Sequence, residues 1–237
     1  RQARFPHVRQ EGLHPEDSPV LFLSAEAHYS LQRAAMVAGL GLNACVEVAT
    51  DTVGRMIPQE LERAIVSAKD AGKTPFFVAA TLGTTVPGAF DPMSAIAEVT
   101  EEHDLWLHAD GSYGGSVLFS RKHRGLLAGV DRADSVTWNP HKMMGVPLAC
   151  AALLMKEKGT LVSTLGMNAD YLFHSNAVND WNLGDRSLQC GRRVDALKLW
   201  FSWQALGDAG YEDRIDHLFE LAGSFRDLIR RREGFRL

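Results

Sequence analysis

The sequence has 237 residues, of which 46% are hydrophobic, and its formal net charge at pH 7 is −4. A chain of this length can bury a sizeable core, and none of its apolar runs is long enough to span a bilayer. The acidic balance, without a basic stripe among aromatic residues, argues against nucleic-acid and membrane partners. Cys45, Cys150 and Cys190 are spaced too widely for a disulfide framework or a zinc site, so we expect a reducing cytoplasm and no metal.

Short apolar runs alternate with helical patterns over the first 155 residues. Strands are predicted at 20–24, 44–49, 75–80, 105–109, 135–138 and 150–155. Helices are predicted at 29–38, from Pro58 to a stop at Gly72, and after Asp91, which we expect to cap a helix that begins at Pro92. This alternation predicts βαβ units and an α/β fold with a mostly parallel sheet, whose ligands gather at the carboxyl ends of the strands.

The second half of the chain has a different pattern. Residues 160–193 lack clear periodicity, and we expect an irregular connection that includes a mobile loop at 175–185. Two helices should follow, one from Val194 to a stop at Gly207 and another from about Tyr211 onward.

Two polar residues follow predicted strands and suit chemistry on an amino acid. Lys142 comes after the run 135–138 and precedes two methionines, an apolar setting that disfavours the ammonium form and leaves an amine able to attack a carbonyl. Asp110 comes directly after the run 105–109. A lysine that forms a Schiff base and a carboxylate that keeps the pyridine nitrogen protonated are the partners that pyridoxal phosphate (PLP) requires. Either residue alone could equally be a surface charge or a turn cap.

Several motifs resemble those of the group II PLP-dependent amino-acid decarboxylases. They are Asn139-Pro140-His141-Lys142, the run from His108 to Gly115, and Gly83-Thr84-Thr85 followed by Gly88-Ala89-Phe90-Asp91-Pro92. The glutamate and cysteine-sulfinate decarboxylase branch is the most similar, through 88–92, 135–145 and 188–195. The resemblance implies the aspartate-aminotransferase-like (fold type I) architecture, with 1–193 as part of the PLP-binding large domain and 194–237 as a helical connection toward an absent C-terminal small domain. Because the chain begins at Arg1 in what reads as mid-domain sequence, we expect a fragment.

The resemblance assigns further residues to the cofactor site. His28 corresponds to the histidine that stacks on the cofactor ring, and Thr85 to a hydroxyl against the ring face or its 3-oxygen. Ser112, Asn139 and His141 are the remaining candidate cofactor contacts. Each of these residues also has a plain structural interpretation, because such side chains commonly close strands, cap helices and occupy turns.

The function implied by the resemblance is decarboxylation of an α-amino acid, with Lys142, Asp110 and His28 as catalytic residues. An acidic substrate is expected, namely glutamate, aspartate or cysteine sulfinate, together with a homodimer that shares its active sites. The resembling enzymes carry a loop tyrosine that returns a proton to Cα, whereas 174–183 contains none. The alternatives are another activity of the same fold, such as an oxidative decarboxylase (aldehyde synthase) or a transaminase, and a non-catalytic truncated partner.

Overall fold

The computed structural model describes residues 4–167, 183–189 and 191–235. Its centre is a six-stranded sheet in the order β2-β1-β3-β4-β5-β6. The strands are β1 (Pro19–Ser24), β2 (Cys45–Val48), β3 (Thr74–Thr81), β4 (Trp106–Gly111), β5 (Ser135–Trp138) and β6 (Ala152–Met155). Neighbouring strands run parallel except β6, which pairs antiparallel with β5 at one edge. The predicted α/β fold with a mostly parallel sheet is therefore confirmed.

The described helices include those predicted at 29–38, from Pro58 to Gly72, after Asp91 and beyond Val194, together with short helices at 8–11 and 160–165 that were not predicted. They are α1 (Val8–Glu11), α2 (Ser30–Val37), α3 (Pro58–Asp70), α4 (Met93–Glu102), α5 (Thr160–Leu165) and α6 (Asp195–Arg230), with short 3₁₀ turns at Leu42–Ala44, Gly114–Phe119, Arg124–Leu127, Val130–Arg132 and Gly184–Arg186. Gly207 has φ 64° inside α6 and divides it at the predicted stop. Among the described helices, none combines the length and the apolar character needed to cross a membrane.

The two faces of the sheet have different environments. Alternate strand residues point to opposite faces, and Phe22, Val78 and Leu107 pack with the inner sides of α3 and α4 in the larger core cluster. Leu21, Leu23 and Ala79 belong to the opposite face, where they pack with Ala35 of α2 in a smaller cluster. On this second face, β4 and β5 carry polar side chains instead of an apolar cluster. His108, Asp110, Ser135 and Thr137 lie there, toward the carboxyl end of the sheet.

Asp91 does not cap α4, so that prediction was wrong. The N-cap position is Pro92, and no side chain caps the helix. The Asp91 carboxylate is 2% exposed and accepts the backbone N–H of Met56 at 2.7 Å and that of Thr81 at 2.6 Å. Asp91 therefore ties the end of β3 to the segment before α3, because two buried backbone donors there need acceptors that the sheet does not supply.

Candidate active site

A cavity of about 630 Å³ opens at the carboxyl ends of β3, β4 and β5. Its lining residues are His28, Ser30, Thr81, Gly83, Thr84, Thr85, Val86, Pro87, Gly88, Asp110, Ser112, Tyr113, Asn139 and Lys142. Six of the seven residues predicted for the site are among them, and His141 is not. The parallel topology explains this convergence, because the strand ends that carry these residues lie at the same edge of the sheet.

Asp110 lies at the end of β4 with only 8% of its surface exposed. Its Oδ1 accepts the backbone N–H of Ser112 at 3.1 Å. The strand register places Asp110 between Thr81 of β3 and Thr137 of β5. The strand ends at Gly111, where a Cβ would lie 3.0 Å from the Thr137 carbonyl oxygen, so a larger residue would push β4 and β5 apart. The carboxylate is thus held by the sheet and directed into the cavity.

Lys142 lies in a turn that follows β5. Its N–H donates to the Asn139 carbonyl at 2.9 Å, and its own carbonyl accepts the N–H of Gly145 at 3.0 Å. Gly145 adopts φ 71°, and a Cβ there would collide with the Arg214 guanidinium of α6. Arg214 Nε also donates to the Met143 carbonyl at 3.2 Å. Helix α6 therefore clamps the turn that presents the lysine.

The apolar setting that the sequence predicts for the Lys142 amine is not present in the part of the chain that the structure describes. Met143 and Met144 are buried in the core, whereas the Lys142 side chain is exposed and lines the cavity. Residues next to each other in a turn can point in opposite directions, so the methionines anchor the turn and do not enclose the amine.

His28 and Thr85 reach the cavity from two other loops. His28 follows β1, is half-buried, and accepts the Ser30 N–H at Nδ1 over 3.2 Å. An imidazole that accepts at Nδ1 carries its proton on Nε2 when it is neutral. Thr85 is exposed in the loop after β3, which Thr84 stabilises by accepting the Ala89 N–H at 2.8 Å.

His141 has other partners in the structure. Its Nδ1 lies 2.5 Å from the Cys150 carbonyl oxygen and 3.1 Å from the Cys150 nitrogen. The ring thus joins the lysine turn to the segment before β6. This contact gives His141 a structural role beside the site and does not place it on the cavity wall.

Two buried polar atoms in the wall have no hydrogen-bond partner among the described residues. They are Thr81 Oγ1 and Asn139 Oδ1. Buried polar atoms without a hydrogen bond are costly, and in a cavity wall they indicate that a polar ligand completes them. A carboxylate, an amine and unpaired hydrogen-bonding atoms around one cavity fit PLP. Thr81 was not among the predicted site residues, because the predicted strand ended at Ala80. The signal for it in the sequence is a polar residue at the end of an apolar run.

The predicted loop at 175–185 falls largely outside the described residues. Its lack of a tyrosine is a property of the sequence, and where it lies relative to the cavity is not described.

One group of potential metal ligands lies elsewhere in the described part of the chain, at His7, His14 and Asp17. The two imidazole rings stack with centroids 4.2 Å apart and an interplanar angle of 21°, so their in-plane lone pairs do not converge on one point. Asp17 Oδ2 lies 2.8 Å from His7 Nε2 and accepts the His14 N–H at 2.7 Å. These contacts tie α1 to the turn before β1.

Comparison with known proteins agrees with this site. The pyridoxal-dependent decarboxylase conserved domain matches residues 1–237. The human cysteine sulfinic acid decarboxylase is 49% identical over 240 residues, which cover 100% of this chain and 49% of the relative. The mouse acidic amino acid decarboxylase is 48% identical, over 100% of this chain and 44% of the relative. The crystal structure of mouse CSAD superposes with a TM-score of 0.92 at 48% identity, over 99% of this chain and 49% of that one.

The chain therefore belongs to the pyridoxal-dependent decarboxylase family, and its cofactor is PLP. It spans about half the length of the curated relatives that it matches. The fold is shared with the Rhodiola rosea 4-hydroxyphenylacetaldehyde synthase, at a TM-score of 0.84 and 28% identity over 97% of this chain and 47% of that one.

Proposed function

We propose that the protein catalyses PLP-dependent decarboxylation of an acidic α-amino acid, such as glutamate, aspartate or cysteine sulfinate. The observation that carries this proposal is the convergence of Lys142, Asp110 and the unpaired Thr81 and Asn139 oxygens around one cavity. The similarity to the cysteine sulfinic acid and acidic amino acid decarboxylases supports the substrate class.

In this proposal the lining residues contact different parts of the cofactor. Lys142 Nζ would hold PLP covalently. Asp110 would accept a hydrogen bond from the protonated ring nitrogen and balance its charge. His28 would pack on the ring, and Thr85, Ser112 and Asn139 would supply hydrogen bonds to the cofactor's oxygens. His141 supports the lysine turn from outside the cavity.

PLP supplies an electron sink for the electron pair that remains when the bond from Cα to the carboxylate breaks. Asp110, 8% exposed, sustains that sink because a carboxylate away from bulk water interacts more strongly with a nearby cation. A proton must then return to Cα. His28 could supply it from its imidazolium form, in which Nδ1–H donates to Ser30 Oγ, 2.8 Å away, and Nε2–H is the acid.

Charge at the cavity also bears on how an acidic substrate is held. Among the described lining residues Lys142 is the only cation, and in this proposal it is used by the cofactor. We infer that the substrate's side-chain carboxylate is bound by a group from another segment or from a partner subunit. A homodimer with shared sites would supply such a group.

The remaining parts of the proposal rest on the sequence. Residues 1–193 would belong to the PLP-binding large domain and 194–237 to a connection toward a small domain. A cytoplasmic location agrees with Cys45 and Cys150, which are free thiols.

The test is to load the full-length protein with PLP and to measure carbon dioxide release from glutamate, aspartate, cysteine sulfinate and tryptophan. Carbon dioxide and the corresponding amine from an acidic substrate, with none from tryptophan, support the proposal. Aldehyde as the main product favours the oxidative alternative, which the lack of a tyrosine at 174–183 motivates. An amino-group transfer product without carbon dioxide, or no turnover by PLP-loaded protein, contradicts the proposal.

A further inference from the structure

A chain of hydrogen bonds lies on the cavity face of the sheet, two strand positions before Asp110. It consists of Trp106 and His108 on β4 and Ser135 and Thr137 on β5. Trp106 Nε1 donates to Ser135 Oγ at 2.9 Å, and Ser135 Oγ lies 2.8 Å from His108 Nδ1. At the other side of the ring, His108 Nε2 lies 3.2 Å from Thr137 Oγ1.

The chemistry of the indole group fixes the direction of the first of these hydrogen bonds. An indole N–H can only donate, so Ser135 Oγ accepts from Trp106 and its own proton is available to His108 Nδ1. A Nδ1 that accepts places the single proton of a neutral imidazole on Nε2, where it donates to Thr137 Oγ1. Since a hydroxyl can accept two hydrogen bonds and donate one, these groups allow this tautomer without imposing it, and both nitrogens of His108 are used in either case.

The surroundings of His108 oppose a positive charge. The residue is 7% exposed, and its ring stacks on Phe77 with centroids 5.8 Å apart. Burial lowers the pKa of His108, and the negative charge of Asp110 raises it by a smaller amount. The residues that face it from the neighbouring strands, Ala79, Ser135 and Thr137, carry no charge.

His108 and Asp110 point to the same face of β4 because they are two positions apart. A cationic imidazole on the same face of β4 would attract the Asp110 carboxylate and weaken its interaction with any other cation. A neutral imidazole leaves that charge for the cavity.

We propose that His108 is a positioning residue of the active site: Trp106, Ser135 and Thr137 hold it neutral with its proton on Nε2, so that the Asp110 charge remains unshared for the PLP ring nitrogen. This inference rests on the proposed function, in which Asp110 faces that nitrogen. It assigns a role in cofactor binding to residues that lie outside the cavity wall.

The first test needs no cofactor. Nitrogen-15 NMR of the histidine side chains in the apo protein, with His108→Gln used to assign the signals, should show His108 as a neutral Nε2–H imidazole at pH 7. Detection of an imidazolium or of the Nδ1–H tautomer at pH 7 would overturn the proposal.

The second test uses PLP binding by the apo protein, followed by absorbance, in a matched pair of variants. Ser135→Asp places a carboxylate against His108 Nδ1 and favours the imidazolium, whereas Ser135→Ala removes the hydroxyl without adding charge. We expect Ser135→Asp to weaken PLP affinity by about tenfold, the effect of one charge-assisted interaction, and to shift the pH titration of the bound cofactor's absorbance. Ser135→Ala, which removes one hydrogen bond to the ring but adds no charge, should change both quantities less than Ser135→Asp does.

Thermal unfolding separates this effect from a general loss of packing. Phe77→Leu removes the ring stacked on His108 and should lower the melting temperature without shifting the absorbance titration. Equal losses of affinity in Ser135→Asp and Ser135→Ala, or no loss in Ser135→Asp, would refute the charge-based role. If the unaltered protein binds no PLP, the proposed function fails, whereas the NMR measurement still decides the state of His108.

Discussion

Asp91 and Asp110 are both buried aspartates, and both lie beside Thr81. Asp91 accepts the Thr81 N–H and the Met56 N–H through its two carboxylate oxygens, and it does not line the cavity. Asp110 is the register partner of Thr81, accepts one backbone N–H from Ser112, and faces the cavity. The difference shows how to separate structural from functional carboxylates. Both oxygens of Asp91 accept backbone N–H groups, whereas Asp110 accepts one and can still bind a ligand.

The same contrast applies to two buried threonine hydroxyls. Thr100 is buried and donates to the Ala97 carbonyl at 3.1 Å, whereas Thr81 is buried with an unpaired Oγ1. Substitutions at the fully paired positions should therefore reduce stability, and substitutions in the cavity wall should reduce cofactor binding and turnover.

The largest effect is expected for Lys142→Ala, which removes the amine at the cavity. Turnover should fall to background, and borohydride reduction should no longer fix PLP to the protein. In the unaltered protein, peptide mass mapping after reduction should find the adduct on Lys142. Lys156→Ala is the matched control, because Lys156 lies at the surface and donates to the Arg132 carbonyl. An adduct on another lysine would show that the site is assigned to the wrong residue.

Asp110→Ala should reduce turnover by about 10²–10³-fold, as expected when one preorganised electrostatic partner of the reacting group is lost. Covalent attachment of PLP to Lys142 should persist, because the lysine turn is held by Asn139 and α6. Turnover numbers and the borohydride adduct are measured on the same preparation. Near-normal turnover in this variant would mean that Asp110 is not the partner of the ring nitrogen.

Asp91→Ala should lower the stability of the fold more than it lowers PLP affinity. The Met56 and Thr81 N–H groups would lose their acceptors in a buried setting, which should cost about 2–4 kcal/mol of unfolding free energy. Denaturant unfolding measures this cost. PLP affinity of the folded variant, measured at low temperature, should fall less than in Asp110→Ala, and a larger fall would contradict the division between the two aspartates.

Stability should also depend on pH through Asp91. Burial raises its pKa to about 6 from an ordinary value of 3.8 and outweighs the two N–H bonds, which act in the other direction. The folded state then binds a proton that the unfolded state releases, so the contribution of Asp91 to stability falls as pH rises from about 4 to 6. The loss amounts to at most about 3 kcal/mol.

The measurement is the unfolding free energy of the unaltered protein minus that of Asp91→Asn, which cannot ionise at this position. This difference should decrease between pH 4 and pH 7. A difference that is constant or increases with pH would place the folded-state pKa at or below the ordinary value.

The smallest effect is expected for Thr81→Val. Valine has a similar shape and no hydroxyl, so the folded protein should be as stable as before or slightly more stable, since an unpaired buried polar atom is removed. PLP affinity should nevertheless fall by a few-fold, about the value of one neutral hydrogen bond. Thr100→Val is the control and should lose stability without a change in PLP affinity. Unchanged affinity in Thr81→Val would remove Thr81 from the cofactor site.

The sequence by itself determined the α/β class, the order of strands and helices, and the residues that could serve PLP. These features depend on local periodicity and on short motifs, so the helix from Pro58 to Gly72 and the helix stop at Gly207 could be predicted.

The tertiary structure alone decided which polar side chains are used by the protein and which are left for a ligand. Aspartate is a common N-cap residue and Asp91 precedes a helix, yet its carboxylate accepts backbone N–H groups from two distant segments. Lys142 is surrounded by apolar residues in sequence, yet its turn directs it outward while Met143 and Met144 enter the core. His108 looks like one residue of a buried strand until the register places it against Ser135 and Thr137. Hydrogen-bond satisfaction depends on groups far apart in the chain, and no local pattern records it.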